Sequence, residues 1–369
     1  MIKVIQISTD TNIGGAGIWL LNFLQYYNRK QLDVTVVIPK SSALKERIAA
    51  LDVRYIEAEG IADCSFSIAG ISTLKKIIAA EKPCVVHTHA SLSARIAAKM
   101  CGVPVVNTRH CIEPRKSGIK RTVYGIINRA LSNRAIAVSK AVYQNLLDDG
   151  IPQNRLTLVY NGVPPLRQIT AEERKAVRQK FGIEGCIAIG IFARLEPVKN
   201  HMLFLEAAQA AYQQNPNLRF IIVGNGSLEE SLKATTKTLG ISDAVIFTGY
   251  VQDITDLMNS IDINALTSDR EAMSISLAEG MTIGKPCITT DAGGPREVVE
   301  NGVSGIVVPV GDKEALTNAF LQLAADAELR SRYGEKGIRI ATEKFSPAEM
   351  CEKLMAVYTE LCNSGKDKR

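Results

Sequence analysis

Apolar residues in this chain gather into short runs separated by longer amphipathic stretches. In the first half the runs are "KVIQIS" at 3–8, "DVTVVIP" at 33–39, "CVVHTH" at 84–89, "PVVNT" at 104–108, "AIAVS" at 135–139 and "LTLVY" at 156–160. Short runs rich in Val and Ile predict strands buried on both faces, where an edge or wet strand would alternate. Helical segments such as "GIWLLNFLQYY" and "SARIAAKM" stand between them. Regular alternation of the two predicts a parallel α/β sheet. The turn cluster "YNGVPPL" at 160–166 breaks the pattern and is a candidate hinge. Helical "AEERKAVRQKF" follows, and the alternation restarts with "CIAIGIFA", "LRFIIVG", "AVIFTGY", "DINAL", "PCITT" and "SGIVVPV". Two doubly wound α/β domains are therefore expected, over 1–165 and 166–340, with a cleft between them. The segment 341–369 is expected as a helix packing back across the domains. In such sheets ligands lie beyond the carboxyl ends of the strands.

Composition narrows the class. The 369 residues exceed one ordinary core, and 46% hydrophobic content with a mean hydropathy of +0.04 describes a globular chain. No apolar run nears the ~18 residues of a membrane span. The opening "MIKVIQIST" is too short an apolar run for a signal peptide and reads as a strand, so a cytoplasmic protein is expected. Eight scattered cysteines without a C-x-x-C pair predict buried, reduced thiols rather than a disulfide framework. Charge is uneven: residues 1–165 hold 21 Lys and Arg against 11 Asp and Glu, and the remainder holds 23 against 27. A basic first half implies an anionic partner, a membrane surface or an acidic substrate. No aromatic–basic alternation accompanies it, which argues against nucleic acid.

Candidate chemistry sits where strands end. In "IGIFARLEPVKNHMLFLEAA", Arg194 leaves a strand and Lys199 precedes a helix, so two cations beside a helix N-terminus suit a di-anion. A solvated basic loop is the competing reading. "STDTNIGGAGIWLLN" is a Gly-rich loop in which Gly14, Gly15 and Gly17 would let a phosphate approach. It is neither G-x-G-x-x-G nor a P-loop, and Asp33 lies before the second strand, which disfavours a dinucleotide. His87, His89 and His110 follow strand positions and are expected on the ligand side, as hydrogen-bonding groups rather than metal ligands. In "EAMSISLAE", Glu271 is expected just before a helix whose first free amides are near Met273, Ser274 and Ile275. An ideal helical repeat would place Glu279 about 80° around from Glu271, too far for a carboxylate dyad but suited to two parts of one extended ligand. "DAGGPRE" adds another Gly-rich turn, ending at Glu297.

Taken together, "ARLEPVKN", "EAMSISLAE" and "GGPREVVENGVSGIVVP" resemble the retaining GT-B glycosyltransferases of family 4, the glycosyl transferases group 1. "GGAG", "HTH", "NTRH", "AVSKAV" and "YNGV" fall in the family's order, so the resemblance spans nearly the whole chain. It implies two Rossmann-like domains, the first on the acceptor side and the second binding a nucleotide-diphosphate sugar. By the same resemblance Arg194 and Lys199 grip the diphosphate, Glu271 contacts the transferred sugar, and Glu279 holds the ribose. The amides at Met273, Ser274 and Ile275 face sugar and phosphate, and Gly249, Tyr250 and Val251 lie beside the base. Gly15 approaches the phosphates and His110 stands near the reacting sugar. Catalytic roles are thus implied for His110, Arg194, Lys199 and Glu271. The chain departs from the family at Ala272-Met273-Ser274, where Gly-Phe-Gly is common; the added side chains narrow the sugar pocket and leave the donor sugar open.

The implied activity is retaining transfer from a nucleotide-diphosphate sugar, with UDP the expected nucleotide, of a hexosyl or N-acetylhexosaminyl group. The expected acceptor is a glycan or lipid-linked molecule of the cell envelope, in polysaccharide or lipopolysaccharide synthesis. No metal or other cofactor is expected, so Arg194 and Lys199 must offset the charge on the leaving diphosphate. A front-face attack, in which a donor phosphate oxygen takes the acceptor proton, would retain configuration. The segment "EPRKSGIKRTVYGIINRALSNR", with Arg115, Lys116, Lys120, Arg121, Arg129 and Arg134 around Tyr124, is expected to dock on anionic lipid or hold an acidic acceptor. That would make the protein peripheral on the inner face of the cell membrane; a solvated helix face is the plain alternative. A nucleotide-sugar 2-epimerase and a non-catalytic nucleotide-sugar-binding subunit share the implied architecture, whereas a dehydrogenase lacks its fingerprint.

Overall fold

The computed structural model describes residues 1–366. The chain divides into two compact units: Met1–Gly162 with the closing segment from Ser346, and Val163–Phe345 between them. The junctions thus lie at 162/163 and 345/346, against the expected 165/166 and 340/341.

The first unit carries β1 (Ile2–Ile7), β2 (Leu32–Pro39), β3 (Arg54–Ala58), β4 (Val85–His89), β5 (Val105–Arg109), β6 (Arg134–Ala137) and β7 (Leu156–Leu158). They form one parallel sheet in the order β3-β2-β1-β4-β5-β6-β7. The order reverses between β1 and β4, so their following loops part there and open a crevice at the carboxyl edge. Strand β3 is absent from the sequence reading, for a physical reason. It lies at one edge of the sheet, and its "RYIEA" carries an exposed Arg54 and no apolar run. The closing helix Pro347–Lys366 packs on the helix Gly15–Tyr26 and beside β1 and β4. Its Met350, Leu354, Val357 and Tyr358 share one core with Trp19, Leu20 and Phe23.

The second unit carries β8 (Ile187–Phe192), β9 (Leu218–Val223), β10 (Val245–Gly249), β11 (Ile263–Leu266), β12 (Cys287–Thr290) and β13 (Gly305–Val308). Their parallel order is β10-β9-β8-β11-β12-β13, so the reversal point here lies between β8 and β11. Phe204, Phe220 and Phe320 form the centre of its core, with ring centroids 5.6 to 5.9 Å apart. None of the eight cysteines forms a disulfide. Cys287 and Cys351 are buried, but Cys111 is exposed on the loop after β5, which corrects the expectation of buried thiols throughout. Among the described residues no helix is long and apolar enough to cross a membrane.

One close approach positions the second unit's ligand edge. The helix Ala327–Lys344 lies against the turn that ends the helix Ile275–Thr282, and a Cβ on Gly334 would stand 2.1 Å from the Gly284 carbonyl oxygen. Backbone cannot yield as a flexible side chain would. Gly334→Ala is expected to lower the free energy of unfolding by about 1–3 kcal/mol through this overpacking. Urea denaturation monitored by circular dichroism would check it, and an unchanged midpoint would refute it.

Candidate active site

In the second unit the loops leaving β8 and β11 are stitched together at the reversal point. Thr267 Oγ1, just past β11, donates to the carbonyls of Lys199 at 3.1 Å and Asn200 at 3.0 Å. Asp269 N–H donates to the Val198 carbonyl at 2.9 Å, and Asn200 Nδ2 donates to Asp269 Oδ1 at 2.7 Å. Asn200 adopts φ +47° and caps the helix His201–Gln214 by accepting from Leu203 N–H at 3.1 Å. Backbone position, not side-chain chance, therefore holds Lys199 at the crevice.

Lys199 Nζ forms an ion pair with Glu271 Oε2, and Ser268 Oγ donates to the same oxygen at 3.4 Å. The two side chains are 18% and 14% exposed, so the pair is only partly screened by water. Arg194, two residues past β8, is exposed, and its guanidinium makes no hydrogen bond or ion pair among the described residues. Of the two expected cations, then, one is free toward solvent and the other is held by the expected sugar-contacting glutamate. His201, next to the pair, is fully buried with neither ring nitrogen hydrogen-bonded. Burial, helped by the Lys199 charge, pushes it down to about 4 and keeps it neutral.

Glu271 is not on a helix. It makes an isolated parallel bridge to Gly293: its N–H donates to the Ala292 carbonyl at 2.9 Å and its carbonyl accepts from Gly294 N–H at 2.9 Å. Gly294 is required there, since a Cβ would fall 1.6 Å from the Ala272 carbonyl oxygen. The helix begins only at Ile275, with Ser274 as its cap accepting from Leu277 N–H at 3.2 Å. Two expectations are corrected by this. The helix's first amides are those of Ile275 and Ser276, while Met273 and Ser274 precede it, and the 80° wheel angle between Glu271 and Glu279 has no meaning across a bridge and a cap. Glu279 lies within the helix, partly buried. Gly249 ends β10 at φ +69°, Tyr250 is 56% exposed, and Val251 packs on the core beside Phe192 and Leu257. Sequence reading passed over "VGNGS", whose Gly224 and Gly226 hug the Arg194 loop: a Cβ would be 2.1 Å from the Ala193 oxygen and 2.5 Å from the Leu195 oxygen. Two glycines spaced around a strand end were the available signal.

In the first unit Gly14 and Gly15 open the helix Gly15–Tyr26, which has no side-chain cap, and a Cβ on either would meet nothing within 4 Å. The loop thus leaves its helix N-terminus approachable. His87 and His89 share one face of β4, and His110 follows β5. All three rings contact Trp19, at centroid distances of 5.5, 4.9 and 5.6 Å. His87 is fully buried, hydrogen-bonded to Thr108 and Tyr358, which corrects its expected place on the ligand side; His110 alone of the three is partly exposed. The His110 loop is anchored by a buried network that sequence did not reveal. Arg109 pairs with buried Asp149 at 2.6 Å and hydrogen-bonds Asn145 and Tyr124. No group of three or more His, Cys, Asp or Glu is arranged to hold a metal among the described residues.

The basic segment forms the helix Gly118–Leu131. Ile119, Val123, Ile126 and Ile127 are exposed at 83, 48, 54 and 39%, a stripe at helical spacing, beside exposed Arg115, Lys120, Arg121 and Arg129. Lys116 and Arg134 do not join that face. Lys116 lies over the Tyr124 ring at 3.9 Å and pairs with Glu113, and Arg134 pairs with Glu360.

Comparison with known proteins matches both halves of the chain. The Glycosyltransferase Family 4 model matches residues 13–167, and the Glycosyl transferases group 1 model matches residues 173–340. The chain is 27% identical over 308 residues to the putative glycosyltransferase EpsD of Bacillus subtilis, covering 79% of this chain and 81% of that one. It is 28% identical over 345 residues to the UDP-Gal:alpha-D-GlcNAc-diphosphoundecaprenol alpha-1,3-galactosyltransferase of Escherichia coli, covering 89% of each. Among solved structures, Alr3699/HepE of Anabaena in complex with UDP and glucose is similar with a TM-score of 0.87 at 22% identity, covering 98% of this chain and 100% of that one. The fold is GT-B.

The Lys199–Glu271 pair generates a prediction that needs no substrate. Lys199→Met leaves a mostly buried carboxylate without its partner and should cost roughly 1–3 kcal/mol of stability. Adding Glu271→Leu should recover part of that loss, and chemical denaturation of the two single variants and the double variant would measure the coupling. Strictly additive losses would refute it.

Proposed function

The chain is a glycosyltransferase of the GT-B class, and we propose that it transfers a sugar from a UDP-sugar to a glycan or lipid-linked acceptor with retention of configuration. The transferred group in this reading is a hexosyl or N-acetylhexosaminyl residue, and the product enters cell-envelope or polysaccharide synthesis. The observation that carries the proposal is the Arg194, Lys199 and Glu271 constellation fixed at the β8/β11 reversal point. The Escherichia coli relative that is named for a UDP-Gal donor and a diphosphoundecaprenol acceptor supports both halves of it.

Breaking the sugar–phosphate bond places negative charge on the departing diphosphate. Arg194, free toward solvent, and Lys199 supply fixed positive charge for it, so the proposed reaction draws on no metal ion. An ammonium has three donors, so Lys199 can keep Glu271 and take a phosphate oxygen together. This couples the carboxylate that holds the sugar to the cation that holds its leaving group. The amides at Ile275 and Ser276, ahead of the capped one, face the same edge and add the helix's positive end, with those of Met273 and Ser274 on the approach. Glu279 holds the ribose, Gly249, Tyr250 and Val251 flank the base, Gly15 approaches the phosphates and His110 stands near the reacting sugar. Retention follows if a donor phosphate oxygen accepts the acceptor's proton on the same face.

The helix Gly118–Leu131 supports a membrane-bound acceptor. Its apolar stripe suits the boundary between headgroups and acyl chains, and Arg115, Lys120, Arg121 and Arg129 suit anionic headgroups. In this reading the protein is cytoplasmic and docks peripherally.

Four measurements test these readings. UDP-sugars should raise the melting temperature more than GDP- or ADP-sugars, because ligand that binds only the folded state stabilises it by mass action. Free UDP should appear only when acceptor is added, which separates transfer from epimerisation. Arg194→Ala should lower kcat/KM by up to about a thousandfold, since a cation ~4 Å from the developing charge is worth roughly 4 kcal/mol in a surface-like dielectric. Full activity in that variant would overturn the assignment. Separately, flotation with vesicles containing anionic phospholipid should recover the protein. Lys120→Gln with Arg121→Gln should weaken that partition by about tenfold or more, at ~1 kcal/mol per basic residue near the surface. Unchanged flotation would remove the membrane reading while leaving transfer intact.

A further inference from the structure

Six polar side chains run in unbroken hydrogen-bond contact through the interior of the first unit. Thr108 Oγ1 lies 2.6 Å from His87 Nε2, and His87 Nδ1 lies 2.6 Å from the Tyr358 hydroxyl. Gln6 Nε2 donates to that hydroxyl at 3.0 Å, while Gln6 Oε1 lies 3.2 Å from His89 Nε2. His89 Nδ1 in turn lies 2.9 Å from His110 Nε2. Gln6, His87, Thr108 and Tyr358 are fully buried, His89 is 6% exposed, and only the outer end, His110, reaches solvent. Trp19 packs against all three imidazoles and holds the rings in place.

A neutral imidazole has one donor nitrogen and one acceptor, so each bond in such a chain dictates the next. Burial keeps these rings neutral: His87 and His110 are pushed down to about 3, and His89 falls well below the ordinary histidine value. The Tyr358 oxygen accepts from Gln6 and gives its own proton to His87 Nδ1. His87 then carries its proton on Nε2 and donates to Thr108. On the other side, Gln6 Oε1 accepts from the Nε2–H of His89, which leaves His89 Nδ1 bare. That bare nitrogen must accept from the Nε2–H of His110. His110 ends the chain with an unprotonated Nδ1, which has no hydrogen-bond partner among the described residues.

We propose that Tyr358, Gln6 and His89 are positioning residues that hold His110 in its Nε2–H tautomer, so that its Nδ1 meets the ligand as a hydrogen-bond acceptor. The ligand group it selects is then a hydroxyl acting as donor, such as one on a sugar ring. The functional part of this rests on the reading of His110 as the histidine beside the reacting sugar. Tyr358 gives the last helix a role besides packing: 248 positions from His110 in sequence, it links the Gln6 amide to His87. The polarity is decided at Gln6. Turning its amide over would reverse every bond and leave His110 presenting an N–H instead.

The test is a tautomer measurement on the full-length protein labelled with 15N-histidine, without donor. Long-range proton–nitrogen correlation assigns the His110 ring by its loss in His110→Gln. The expected result is the Nε2–H tautomer in the unmodified chain, and a mixture of tautomers in Tyr358→Phe, which removes one hydroxyl, and in Gln6→Met, which removes both bridging groups. Turnover should fall about tenfold in Tyr358→Phe with the donor KM little changed, the worth of one hydrogen bond made in the transition state. A purely structural role would lower the melting temperature without altering the His110 tautomer. An Nδ1–H tautomer in the unmodified chain, or a tautomer indifferent to both substitutions, overturns the proposal. A tautomer that shifts as expected with unchanged turnover upholds the relay and instead overturns the placing of His110 beside the sugar.

Discussion

The reversal of strand order within each sheet is the constraint on which the rest depends. Crossovers between parallel strands are right-handed, so a sheet built outward in both directions from its first strand has helices on opposite faces on either side of that strand. At that one place neighbouring loops diverge and no helix covers the carboxyl edge. β1 with β4, and β8 with β11, are those places. The Gly14–Gly15 loop and His89 stand at the first, and the Arg194–Lys199 loop and Glu271 at the second. The candidate chemistry is where topology leaves room for it.

The two units treat charge in opposite ways. In the second, opposite charges are kept partly hydrated and paired: Lys199 with Glu271 at the crevice, while Arg194 stays exposed. In the first, burial is deep enough that the histidines give up charge and organise through neutral hydrogen bonds. A buried network of that kind has only two consistent directions of donation, which makes it a means of fixing a tautomer rather than a source of charge. Arg109 and Asp149 behave differently within that unit. They are paired directly in the interior, and Asn145 and Tyr124 accept further hydrogen bonds from the guanidinium.

Much of the fold was legible because buried parallel strands cannot avoid a Val- and Ile-rich run. Twelve predicted runs coincide with strands, and β3 escaped because its "RYIEA", with Arg54 exposed and the next three residues only half-buried, carries no such run. The candidate site was legible as motifs but not as geometry. "EAMSISLAE" reads as a helix starting directly after Glu271, yet Glu271 bridges to Gly293 and the helix waits for the Ser274 cap. The deciding partner, Gly294, is 23 residues downstream, and its missing Cβ is what admits the Ala272 carbonyl. Likewise "HTH" gave no sign that His87 faces inward to a tyrosine on the last helix.

The sequence by itself determined the parallel α/β class, the two-part chain and the residue types at strand ends, since each follows from local periodicity and short-range backbone chemistry. Tertiary structure alone decided which groups meet. Lys199 finds Glu271 across 72 positions, and the buried chain joins Gln6 to Tyr358 across 352. Contacts at that separation are set by how sheets reverse and helices pack, and a donor or acceptor acquires its direction only from the partner that packing delivers.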